Sequence, residues 1–129
     1  MPIERSNPPN VGAPHGYHYV VRAGSMAYIA GQVARAPDGS TVGKGDFTAQ
    51  ANQVFTNLKA CLRAAGASAD DPVKITVYMT RPQDLEEYRC IRTQYIGSED
   101  TAPASTLVFI SQLANPDFLI EIEAVAFIG

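Results

Sequence analysis

The clearest pattern in the chain runs from residue 47 to residue 65. Phe47, Ala51, Val54, Phe55, Leu58, Cys61, Leu62 and Ala65 recur there every three or four positions. That period predicts an amphipathic helix with one buried stripe. Asp46 stands where an N-cap belongs and Gly66 where a C-cap belongs. The period then falls to two. In residues 72–80, Val73, Ile75, Val77 and Met79 alternate with Lys74, Thr76 and Tyr78, as in a half-buried strand. A second helix follows with Pro82 in its first turn, where the missing N–H does no harm, and with Leu85, Tyr88, Ile91 and Tyr95 as its apolar stripe. Upstream, residues 17–22 and 26–31 flank Gly24-Ser25 and read as a β-hairpin, while residues 36–45 carry turn chemistry throughout. Downstream, the unbroken apolar run of residues 107–110 predicts a strand buried on both faces, entered through a corner of small residues, Pro103-Ala104-Ser105-Thr106. Asn115-Pro116-Asp117 marks a turn and residues 119–128 a last strand. Residues 1–16 read as an extended lead-in.

The predicted order is β-β-α-β-α-β-β, an α+β sheet with two helices on one face. No repeat or change of composition divides the chain, so residues 1–129 are expected to form one domain. Two helices cover only one side of such a sheet. The other side needs cover, most simply from further copies of the chain, so a homo-oligomer is expected.

Composition narrows the function. Apolar residues make up 46% and charged residues 18%, enough to bury a core and too apolar for disorder. The net charge of −3 and the isoelectric point near 5.2 argue against nucleic acid as a partner, which calls for a basic surface. No apolar run is long enough to span a bilayer, and the first residues show no apolar export signal, so a cytoplasmic protein with reduced thiols is expected. Cys61 and Cys90 are far apart and read as buried small hydrophobes.

Candidate chemistry concentrates in the last strand. Glu121 and Glu123 share a face with Leu119, Val125 and Phe127, which sets two carboxylates about 7 Å apart on an otherwise apolar surface. A carboxyl in such surroundings has a raised pKa and can act as a general acid or base near neutrality. The bland alternative is a pair of solvated or arginine-paired carboxylates. His15 and His18 lack the further ligands that a metal site needs, so no metal is expected. No serine sits in the setting of a hydrolase nucleophile, and no glycine-rich phosphate loop is present. Tyr17, Tyr19 and Tyr28 read first as core or interface aromatics, and Arg89 and Arg92 as a solvated helix face.

Several stretches taken together resemble one family. They are the hairpin MAYIAGQV, the helix carrying Gln50-Ala51, Asn57-Leu58 and Ala65-Gly66, the strand VKITVYM, the corner Pro103-Ala104 and the ending IEIEAVA. In that order they resemble the Rid family, the YjgF-like reactive-intermediate deaminases also called L-PSP endoribonucleases, from about residue 17 to residue 126. The resemblance implies a chorismate-mutase-like fold with a mixed sheet. It implies a homotrimer around a central barrel and a small-molecule pocket at each subunit interface. The implied activity is hydrolysis of 2-imino acids to 2-keto acids and ammonia without a cofactor. Glu121 matches the family's water-positioning glutamate, and Tyr17 a pocket tyrosine. Three positions depart from the active deaminases. Ser105 stands where an arginine holds the substrate carboxylate, Ala30 where a serine precedes Gly-Gln, and Arg89 where the second helix carries an asparagine.

A bidentate arginine–carboxylate contact is roughly twice as strong as a neutral hydrogen bond, and a serine hydroxyl contributes only about 1 kcal/mol. The substrate carboxylate must therefore meet another cation, with Arg89 the first candidate and Arg92 the second, or the natural ligand differs. The sequence thus supports a deaminase or hydrolase of a reactive imine or enamine, with simple 2-imino acids disfavoured. A non-catalytic trimer that binds a metabolite is the alternative, and RNA cleavage or a chaperone-like role the third reading.

Overall fold

The computed structural model describes residues 2–96 and 98–129. Its strands are β1 (Ile3–Ser6), β2 (Val20–Ala23), β3 (Met26–Gln32), β4 (Pro72–Met79), β5 (Ala104–Phe109) and β6 (Ile120–Phe127). Its helices are α1 (Phe47–Ala64) and α2 (Leu85–Arg92). The strands form one mixed sheet in the order β1-β2-β3-β6-β4-β5. All pairs are antiparallel except β4 with β5, whose connection runs through α2, as parallel neighbours require.

Local chemistry accounts for most boundaries. Gly24, at φ 63°, opens the two-residue turn between β2 and β3, where a left-handed conformation is needed. The Asp46 side chain accepts a hydrogen bond from the Ala49 N–H at 3.1 Å and starts α1. The C-cap of α1 is Ala65, one residue before the expected Gly66. Gly66 follows at φ 83°. Its N–H donates to the Arg63 carbonyl and that of Ala67 to the Leu62 carbonyl, the paired bonds of a Schellman stop. Pro82 opens a short 3₁₀ turn that leads into α2, held by Arg81 gripping both oxygens of Asp84 at 2.7 and 3.2 Å.

The core lies between the helices and one sheet face. Ile75, Val77 and Met79 of β4, and Ile120, Ile122, Ala124 and Ala126 of β6, point into it. They meet Val54, Phe55, Leu58 and Cys61 of α1 and Tyr88 and Ile91 of α2. Phe55 stacks on Tyr95, ring centroids 5.0 Å apart. Two buried amides tie α1 to the loops. Gln50 donates to the Gly43 and Asp117 carbonyls and accepts from the Leu119 N–H, and Asn57 donates to the Val33 and Arg35 carbonyls.

Several expectations need correction. The lead-in contains β1, an exposed edge strand without apolar alternation, held by backbone pairing with β2. Strand β2 begins at Val20, which leaves Tyr17 in the preceding loop. Val73 does not join Ile75 in the core: Pro72 pairs with Ala126 and Lys74 with Val125, and this bulge turns Val73 outward. Cys61 is buried but Cys90 is exposed. Strand β5 starts at Ala104, so Ser105 lies within it and not at a corner. In the single chain β5 is an edge strand. Leu107 packs on the core, whereas Val108 and Phe109 are exposed in the single chain.

Among the described residues no helix covers the second sheet face. Tyr28 and Phe127, 50% and 54% exposed, lie on it with Val108, Thr76, Tyr78, Glu121 and Glu123.

Candidate functional site

The centre of that uncovered face is a bulge. Strand β3 pairs with β6 through Ile29–Ala124 and then Gln32–Ile122, so two residues, Ala30 and Gly31, stand opposite the single residue Glu123. Gly31 has no side chain, and Glu121 lies across it. A methyl group there would come within 2.6 Å of Glu121 Cδ. The glycine thus opens the groove into which Glu121 folds. Burial raises the Glu121 pKa above the ordinary carboxylate value, and the nearby charge of Glu123 raises it further. Among the described residues no hydrogen bond or ion pair engages Glu121, whereas Glu123 accepts a hydrogen bond from the Tyr78 hydroxyl at 2.8 Å. That bond, with some burial and the charge of both carboxylates, holds the Tyr78 pKa above its usual value. The two acids therefore differ: Glu123 is tied, and Glu121 is free to meet a ligand.

Two predicted pocket residues lie close in the fold to this bulge. Ala30 is half-buried, and its N–H donates to the Tyr19 carbonyl at 2.9 Å. Tyr17 packs edge-on against Tyr19, centroids 5.7 Å apart, and its own ring is half exposed.

Ser105 and the two arginines lie elsewhere. Ser105 pairs with Ile75 and therefore projects from the helix side of the sheet. It lines a cleft of about 570 Å³ together with Ile75, Arg92, Ile96, Ser98 and Glu99. Arg92 is half-buried, and its guanidinium lies over the Tyr88 ring at 5.7 Å from the centroid. Arg89, the first candidate cation, does not line this cleft. It is exposed and paired with Glu86 at 2.6 Å.

Register gives the separation. Glu121 pairs with Tyr78, which pairs with Val108, three residues along β5 from Ser105. Two strand spacings and three residue steps place the two Cα atoms about 14 Å apart, with the side chains on opposite sheet faces. Within one chain, Glu121 and Ser105 belong to different surfaces.

Among the described residues no group of three His, Cys, Asp or Glu side chains could hold a metal ion. The His18 Nδ1 hydrogen-bonds with the Asn7 amide at 3.0 Å. Among the described residues no helix is long and apolar enough to cross a membrane. Sequence reasoning overlooked Gly31 and Tyr78 as site residues. The signal for Gly31 was a glycine inside a strand pattern, which marks a bulge or a close approach. For Tyr78 only pairing to β6 reveals its role.

Comparison with known proteins agrees with this architecture. The chain is 39% identical over 111 residues to a RutC family protein of Pyrococcus horikoshii, covering 86% of each. Its fold superposes on RidA from the Antarctic bacterium Psychrobacter with a TM-score of 0.85 at 30% identity, over 96% of this chain and 98% of that one. It also superposes on Escherichia coli TdcF, solved with bound serine, with a TM-score of 0.83 at 29% identity, over 95% and 96%. The pattern of the Endoribonuclease L-PSP family matches residues 9–128, and the chain belongs to that family.

Proposed function

We propose that the chain hydrolyses a reactive imine or enamine in pockets between the subunits of a homotrimer, with Glu121 handling the proton of the attacking water. The observation that carries this reading is Glu121 itself: half-buried, laid across Gly31, without a partner among the described residues, and raised in pKa by burial. Such a carboxyl passes a proton in either direction. Water adds to the imine carbon, the C=N π pair moves to nitrogen, and Glu121 takes the proton that the water loses. That proton returns to nitrogen, Glu121 then passes the proton of the new hydroxyl to the same nitrogen, and ammonia leaves as the C–N bond breaks and the C=O bond forms. Imine and water thus become carbonyl compound and ammonia, and the reading needs no cofactor.

The exposed aromatic groups on the uncovered face support a trimer in which the sheets turn inward. The 14 Å separation supports pockets built from two chains, since one chain holds Glu121 and Ser105 on opposite faces. Ser105 counts against simple 2-imino acids held as the active deaminases hold them, because its hydroxyl cannot neutralise a carboxylate.

The test is ammonia release from 2-iminopropanoate and 2-iminobutanoate generated in situ. Slow turnover, above the spontaneous rate and removed by Glu121→Ala, is expected of these disfavoured substrates. No turnover by folded, oligomeric protein overturns the reading in favour of a second one, a metabolite-binding trimer without catalysis. Ser105 favours that second reading, as does the relative TdcF with its bound serine. An acidic chain with a net charge of −3 does not favour RNA cleavage.

A further inference from the structure

We propose that Arg92 is the carboxylate anchor of this protein, supplying from helix α2 the guanidinium that position 105 lacks. The proposal deepens the reading above and takes from it only the fate of the ligand once held.

Arg92 shares its cleft with Ser105, and Arg89 does not. The state of each arginine sharpens the contrast. Arg81 is committed to Asp84 and Arg89 to Glu86, but among the described residues no carboxylate pairs with Arg92. Beneath Arg92 lies the face of Tyr88, a side chain with no exposed surface. An aromatic face holds a cation in place without neutralising it. The last turn of α2, where Arg92 sits, also favours positive charge. The result is a positioned, partly desolvated guanidinium with its charge unspent. A guanidinium in that state binds a carboxylate far better than a solvated one does.

The rest of the cleft suits a small acid. Ile75, Ile96 and Pro103 supply apolar wall, and the Ser105 hydroxyl lies in the same cleft to donate a second hydrogen bond. Glu99 is the acid of the lining and repels a second anionic group, so the ligand class is a monocarboxylate. The volume, about 570 Å³, falls within the range of small-molecule sites.

The test uses 2-oxobutanoate, a stable monocarboxylate with the skeleton of the hydrolysis product, in calorimetric titrations of the intact oligomer. Arg92→Ala is expected to weaken binding at least about 30-fold, the loss when a charge-assisted partner is removed. Arg92→Lys should recover part of that loss, and Arg89→Ala should stay within about twofold of wild type. Arg92→Gln removes the charge but keeps a polar side chain with part of the aliphatic stem of arginine and guards against loss of fold, which thermal unfolding checks. Equal affinity in wild type and Arg92→Gln overturns the proposal, as does failure of wild type to bind 2-oxobutanoate. Arg92-dependent binding without ammonia release from 2-iminobutanoate leaves the anchor standing and removes the hydrolase reading instead.

Discussion

Replacing Gly31 by alanine separates the placement of Glu121 from the integrity of the fold. A methyl group on the Gly31 backbone lies 2.6 Å from Cδ and 2.9 Å from Cγ of Glu121. Carbon atoms rest about 3.5–4.0 Å apart, so the carboxyl must move by about 1 Å. What yields is the end of a flexible side chain, and Gly31 is not among the glycines with positive φ. The fold should therefore absorb the change within about 1 kcal/mol, helped by the reduced freedom of the unfolded chain. Catalysis should not. A misplacement of about 1 Å costs on the order of 100-fold in rate, which equals about 2.7 kcal/mol of transition-state stabilisation. The assay is kcat/KM for ammonia release, with urea unfolding of the same preparation. Titration of the Glu121 carboxyl by ¹³C NMR gives an independent reading. Burial is the main cause of its raised pKa, so displacement toward water should bring that value down. A Gly31→Ala protein that keeps turnover within about threefold refutes the placement argument. So does one that loses activity only in step with its fold.

Three further outcomes follow from the packing. The raised pKa of Glu121 means that ionising it costs folded-state stability, a cost absent below the unfolded value near 4.5 and growing as pH rises through the folded value. Glu121→Gln should therefore be more stable than wild type at pH 7 and equal to it near pH 4, and urea midpoints that differ more at the lower pH contradict this sign. Gln50→Leu removes the partner of the part-buried Gly43 and Asp117 carbonyls and Leu119 N–H and should cost roughly 2–5 kcal/mol in urea unfolding. Burial pushes the Cys61 thiol up to about 12, whereas Cys90 is exposed. A thiol reagent should label Cys90 in the native protein and reach Cys61 only after denaturation, as peptide mass mapping will show.

Periodicity made the two helices and the alternation of β6 legible, because each buries one face against a single layer and repetition records that directly. It failed where backbone pairing, and not side-chain burial, decides structure. Strand β1 has no apolar pattern to read, since only its hydrogen bonds to β2 hold it. Val73 was misplaced because a bulge shifts the phase by one residue, and a phase shift leaves no mark in a list of side chains. The apolar run of β5 predicts a strand, and in one chain that strand sits at the edge with Val108 and Phe109 exposed, a position that the run of side chains does not record.

The candidate site divides along the same line. Glu121 was legible because two acids on an apolar strand face are chemically anomalous. Its distinction from Glu123 on physical grounds was not, since it depends on Tyr78 tying one acid and Gly31 making room for the other. The choice between Arg89 and Arg92 was beyond the sequence for a related reason. They are three residues apart on one short helix and look equivalent by spacing. What separates them is that Glu86 meets the first while the Tyr88 ring supports the second. Arg89 turns its charge to an exposed neighbour outside the cleft, and Arg92 lines the cleft with its guanidinium over an aromatic ring, which leaves its charge in place. With Ser105 on the strand wall, the cleft still carries positive charge on its helix wall, from Arg92, and under the anchor proposed above a ligand's carboxylate is held from that side.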